Sequence, residues 1–205
     1  MIYYIQYNNF GQIICMGTAP DGADVSHLGT TVTQDAPFDV DLSKDYIQDG
    51  EIVRRPQSPS PHHEWDWPTK SWLPNLDVAK AAKKAEIEAE RNRRINEPLS
   101  YDGKVLDADQ TARDNLKAKL EEVRERIRLS LPMPAELLVW RDNGNQTHTW
   151  LTVEAYHDWL AGYAVAMSER GTLCYACAWY HKDALEQLSG LEDIVNYDLT
   201  QGWPE

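Results

Sequence analysis

The sequence predicts an α+β protein: a β-rich hairpin module at the N-terminus, a Pro-rich connector, and a helical module that carries two further β-hairpins. Three observations predict it. Short alternating apolar runs separated by Asp-Gly and Asn-rich turns fill the first third of the chain, Pro56, Pro59 and Pro61 with intervening serines interrupt it, and helical spacing of apolar residues dominates from Asp77 onward. A chain of 205 residues accommodates two small domains. The expected boundaries are 1–55 for the β-rich module, 56–76 for the Pro/Trp-rich connector and hairpin, and 77–205 for the helical module.

Each element follows from local chemistry. Ile2 to Tyr7 alternates, Asn8-Asn9-Phe10-Gly11 turns, and Gln12 to Met16 returns, which predicts a hairpin. The segment to Ser43 reads as loops with edge strands near Thr31 to Thr33 and Phe38 to Val40. Asp49-Gly50 between Tyr46-Ile47 and Ile52-Val53 predicts a second hairpin, because both turn positions must take positive φ. His63 to Leu73, turning at Pro68-Thr69-Lys70, predicts a third with Trp65 and Trp72 opposed.

Asp77 is placed to cap a helix over Val78 to Asn96, which Glu97-Pro98 ends because a residue before proline is pushed out of the helical region. Its apolar side is mostly alanine with Ile87 and Ile95, so it needs another chain or the following segment to hold it. Asp102-Gly103 predicts a tight hairpin, and Asp107 with Gln110 a capping box before the next helix, Asp109 to Leu129. That helix has a better apolar stripe: Ala112, Leu116, Leu120, Val123 and Ile127. A hairpin turning at Asp142-Asn143-Gly144-Asn145 then leads to Thr152, the expected cap of a long helix that Gly171-Thr172 is expected to kink or split.

This ordered series resembles a known family. Glu90 to Arg94, Tyr101 to Gly103, Asp107 to Arg113, Val139 to Asn143 and Leu151 onward correspond to the E-R-x-R-R helix, x-x-D-G hairpin, D-x-x-S/T helix (with Gln110 at the Ser/Thr position), tryptophan hairpin and Ala-rich helix of a domain of unknown function carried by bacteriophage tail proteins. The N-terminal region resembles, more loosely, the β modules of tail-fibre assembly and tail-tip proteins. The resemblance implies binding to other tail proteins and carries no catalytic signature.

Charge narrows the partners. Residues 1–76 carry 4 basic and 10 acidic groups, 77–131 carry 13 and 12, and 132–205 carry 3 and 11, for a net charge of −13. Such a surface repels phosphate backbones, so no nucleic-acid partner is expected. The start lacks a basic, apolar leader, and no stretch approaches the length of a membrane span, so no membrane insertion is expected. Cys174, Cys177 and His181 share a helical face, as zinc would require, but the fourth ligand is missing locally and a CxxC inside a helix lacks the N-terminus that depresses a redox thiol. Packing is the preferred reading there, as for Cys15. His62-His63-Glu64 reads as solvated linker, and His148 and His157 as surface polar residues. Neither metal nor cofactor is expected.

The residues expected at a protein interface are Trp65, Trp67, Trp72, Arg91, Arg94 and Trp203. Alternation sets Trp65 and Trp67 on one face of a small module with little core, so one ring is expected to seek a partner. Arg91 and Arg94 lie on the charged helix, where ion pairs within the helix are the competing reading. The expected function is a non-enzymatic tail protein, a virion component at the tail fibre, tail tip or baseplate, made in the bacterial host cytoplasm and open to homo-oligomerisation. The alternatives are a tail-fibre assembly chaperone and a host-surface glycan-binding module.

Overall fold

In the computed structural model, which describes residues 1–204, the alternating run at the start of the chain forms β1 (Ile2–Tyr7) and returns antiparallel as β2 (Ile13–Ala19). The Asn8 carboxamide sets that turn by accepting from the backbone N–H of Phe10 and of Gln12, at 2.9 and 3.0 Å. β3 (Thr31–Gln34) pairs with the other edge of β1, giving a three-stranded sheet in the order β2-β1-β3 with Ile5 fully buried. Phe38 to Val40, expected as an edge strand, is irregular backbone.

β4 (Asp45–Gln48) and β5 (Glu51–Arg54) form the second hairpin, with Asp49 at φ 52° and Gly50 at φ 84° supplying the two positive dihedrals. The turn after β1 seats directly on β4: Ile47 donates its N–H to the Gly11 carbonyl at 2.8 Å, and a Cβ on Gly11 would lie 1.9 Å from the Ile47 carbonyl oxygen. Only glycine fits there. β6 (His63–Asp66) and β7 (Ser71–Pro74) make the third hairpin, with Trp65 and Trp72 in register and their rings 5.4 Å apart. Residues 1–75 constitute one compact unit, and the chain from Leu76 onward a second.

The second unit is built around one helix. α3 (Val153–Glu186) runs unbroken for 34 residues, capped as expected by Thr152, whose hydroxyl accepts from the Ala155 N–H at 3.2 Å. The expected break at Gly171-Thr172 does not occur. A lone helical glycine costs only about 1 kcal/mol relative to alanine, and the burial of Arg170 and Cys174 on either side outweighs it.

The N-terminal half of α3 packs against α2 (Gln110–Arg128), and Leu116 and Val123 of α2 share a cluster with Tyr156, Leu160 and Tyr163. Asp109, not Asp107, caps α2, accepting from the Ala112 N–H at 2.8 Å, so the expected capping box lies two residues early. The C-terminal half packs on α1 (Leu76–Asn96), where Ala79 and Ile87 meet Cys174, Ala178 and Leu185. Asp77 lies in the first turn of α1 rather than at its cap. Lys80 and Lys84 reach Glu186, and Lys182 reaches Glu88, which fixes the two helices antiparallel. The thin alanine side of α1 therefore finds its cover in α3 of the same unit. The short α4 (Leu191–Val195) buries Ile194 in this cluster.

Two small hairpins close the first cluster. They are β8 (Leu99–Tyr101) with β9 (Lys104–Leu106), and β10 (Val139–Arg141) with β11 (Thr147–Thr149). No helix of the described residues is long and apolar enough to cross a membrane.

Candidate protein interface

The tryptophans of the N-terminal unit pack on one another. Trp65 is buried, with Tyr46, Trp67 and Trp72 at centroid distances of 5.8, 6.4 and 5.4 Å. Trp67 is half-buried, with the Arg55 guanidinium 5.3 Å and the Lys70 ammonium 5.5 Å from its ring centre, as cation–π pairs. Trp72 is half-buried and donates its indole N–H to the Pro56 carbonyl at 2.8 Å, which ties the proline connector to the hairpin. Trp65 and Trp67 thus do share surroundings, but each ring finds its cover in neighbouring side chains rather than standing free.

Burial is incompletely matched by hydrogen bonds in this unit. Arg55 Nε, His62 Nδ1, Trp65 Nε1 and Lys70 Nζ are buried without a hydrogen-bond partner among the described residues. Burial pushes the Lys70 ammonium below its ordinary pKa. Asp45 is the contrary case: it is 2% exposed and held by Arg54 at 2.9 Å and by the Asp41 N–H at 2.8 Å, and the Arg54 bond depresses its pKa. His63 is hydrogen-bonded to Ser60, and Glu64 accepts from Asn75.

The charged run on α1 is spent within its own unit. Arg94 pairs with Glu90 at 2.8 Å, and Arg91 pairs with Glu88 at 2.6 Å while lying 4.6 Å over the Tyr175 ring. Glu90, held chiefly by Arg93, has its pKa lowered to about 2. Trp203 is core: it is 9% exposed, stacks on His181 at 5.5 Å, and donates to the Leu199 carbonyl at 2.7 Å. Most of that ring's surface is committed to contacts within its own unit. His181 is satisfied on both sides, its Nε2–H donated to the Gln201 carbonyl and its Nδ1 accepting from the Tyr197 hydroxyl, each at 2.9 Å. Burial raises the pKa of both Cys174 and Cys177, the direction opposite to that of a reactive thiol. No group of three or more His, Cys, Asp or Glu side chains arranged to hold a metal occurs among the described residues. Cys15 is half-buried and hydrogen-bonds Gln6, and His148 pairs with Asp142 at 2.9 Å across its hairpin.

Residues in the ordered motifs have identifiable packing roles. Asp102 (φ 51°) and Gly103 (φ 71°) make the β8–β9 turn, and the Asp102 carboxylate accepts from the Trp159 indole at 3.1 Å. Tyr101 lies 6.0 Å from Tyr163 in a stacked arrangement, and its hydroxyl comes so near α3 that a Cβ at Gly162 would stand 2.0 Å from it. The carbonyl of Asp107 accepts from the Tyr163 hydroxyl, and that of Val139 from Tyr156 at 2.7 Å. Burial raises both tyrosine pKa values. Trp140 and Trp150 close the cluster on Trp159, at 6.2 and 4.5 Å. A family model described as a domain of unknown function, DUF4376, matches residues 78–201.

The chain belongs to the DUF4376 family. The DUF4376 match begins two residues into α1 and ends in the tail that covers His181, so it coincides closely with the second folding unit. No curated protein and no solved structure matches the chain.

Two features of this DUF4376 unit escape sequence reasoning. Arg170, 7% exposed, donates to the carbonyls of Pro98 and Ile95 at 3.0 Å each and to that of Glu97, satisfying the end of α1 where the helix dipole is negative. Arg113 adds a bond to the same Ile95 carbonyl at 2.7 Å. The second feature is the outer face of α3, where Val165, Leu173, Trp179 and Tyr180 are exposed. A helical wheel over one continuous helix would have revealed a second apolar stripe, but a break at Gly171 destroys its phase.

Proposed function

We propose that the protein is a non-enzymatic bacteriophage tail protein that works through protein–protein interfaces, as a structural component of the tail fibre, tail tip or baseplate region of the virion. The carrying observation is the outer face of α3. Trp179 and Tyr180, 61% and 70% exposed, stand side by side on a helix whose inner face is already filled. Large apolar side chains in that position gain most by burial against another protein. The resemblance to phage tail proteins supplies the setting, and packing roles for residues of the family's motifs support a scaffold rather than a chemical centre. The net charge of −13 disfavours nucleic acid as the partner.

Mass spectrometry of purified virions of a phage encoding the chain tests this directly. Recovery with the tail fraction, in fixed ratio to other tail proteins, is the expected result. Its absence from particles, together with co-purification of unassembled fibre, would make it an assembly chaperone instead. Turnover of host polysaccharide by the pure protein, abolished by changing one carboxylate, would overturn the non-enzymatic reading.

A further inference from the structure

We propose that the exposed strip of α3 centred on Ala176 docks a cationic amphipathic helix of another protein. The inference rests on the binding role proposed above and adds the partner's chemistry. Helical spacing puts Leu173, Ala176, Trp179 and Tyr180 on adjoining positions of the outer face, and a shallow groove of about 380 Å³ runs between Leu173, Ala176, Cys177 and Tyr180 and the tail residues Gly202 and Pro204. Such a face and groove fit the apolar side of a helix.

Charge decides which helix. Glu169 and Asp183 bracket the strip, both are exposed, and neither is in an ion pair among the described residues. The chain beyond residue 131 contains three basic side chains, Arg141, Arg170 and Lys182. Arg170 is buried on backbone carbonyls, Lys182 is paired with Glu88, and Arg141 belongs to β10. None of the three therefore stands on the outer face of α3 between the strip's acidic ends. A second copy is a poor occupant in either direction. An antiparallel pair centred on Ala176 sets Glu169 against Asp183 of the other copy, and a parallel pair sets each acid against itself. Residues 1–76, with 4 basic and 10 acidic groups, meet the same objection. A partner with lysine or arginine beside its apolar stripe removes the repulsion and gains complementarity at both ends.

The test is calorimetry of the full chain with a synthetic Leu/Lys peptide whose leucines recur at every third and fourth position. Saturable one-to-one binding is expected, weakened about ten-fold or more by Trp179→Ser or Tyr180→Ser. The double change Glu169→Lys with Asp183→Lys should weaken it as well. All four positions are exposed, so the variants should keep the wild-type melting temperature, which shows that loss of binding is not loss of fold. Equal binding of a scrambled Leu/Lys peptide, preference for a Leu/Glu peptide, no binding at all, or a concentration-dependent dimer abolished by Trp179→Ser would each overturn the proposal. Virion mass spectrometry reads the place in the tail and calorimetry reads the strip, so either reading can fail while the other stands.

Discussion

The two units bury their side chains by different means. From Leu76 onward, two contiguous apolar clusters line opposite halves of α3, and no buried side-chain polar atom lacks a partner among the described residues. The first 75 residues bury four large apolar side chains, Ile5, Tyr46, Ile47 and Trp65, and hold all four of the buried polar atoms without partners. Three separate β-sheets of two or three strands cannot enclose a thick core, so aromatic rings, cations and the buried Asp45 take its place. Apolar burial is cheap to satisfy, whereas each buried polar group left without a partner costs about 1–3 kcal/mol. The contrast predicts a firmly folded C-terminal unit and a weakly folded N-terminal one.

Removing the one buried guanidinium of the larger unit should break the contrast most severely. Arg170→Ala strands the Glu97 and Pro98 carbonyls, leaves that of Ile95 to Arg113 alone and empties their shared pocket, and we expect a loss of about 4 kcal/mol, read by denaturant unfolding of the C-terminal unit. Arg170→Lys keeps a charge but not the planar fork and should recover only part of this loss. In the smaller unit, Arg54→Ala leaves the Asp45 carboxylate buried with one N–H donor. Because Arg54 itself is solvated, the expected cost is smaller than that of Arg170→Ala and of breaking a fully buried pair, and confined to the N-terminal transition.

The smallest effect is a pH dependence. Glu90 has a folded-state pKa of about 2 against an ordinary value of 4.5. A depressed carboxylate stabilises the fold above its unfolded pKa and ceases to do so as pH falls through the folded value, so its contribution disappears between about pH 4.5 and 2. Glu90→Gln should therefore lower the melting temperature slightly at pH 7 and not at pH 2, a difference measurable by thermal scans of the pair.

Local chemistry made much of this fold legible in the sequence. The Asp-Gly dipeptides at 49–50 and 102–103 specify their turns because few other pairs accept two positive φ values, and Thr152 announces α3 by its hydroxyl alone. The cap of α2 is not legible locally: Asp107 has Gln110 at capping-box spacing, yet Asp109 caps the helix, and the Asp107 carboxylate instead accepts from Asn143 of the β10–β11 turn. Gly171 looked like a break because propensity is local and the burial that overrides it is not. Arg170 was illegible for the same reason, since its acceptors lie 72 to 75 residues away. The six expected interface residues are ambiguous in sequence because tryptophan and arginine form interfaces and cores alike, and the structure shows Trp203 and Arg91 with contacts inside their own unit.

Native-state hydrogen exchange on the full chain tests the contrast most directly. Amides of Leu160, Tyr163 and Cys174 in α3 are expected to be protected at least about a hundred-fold more than those of Ile5, Ile47 and Trp65 in the N-terminal strands. Equal protection, or slower exchange in the strands, would contradict the account.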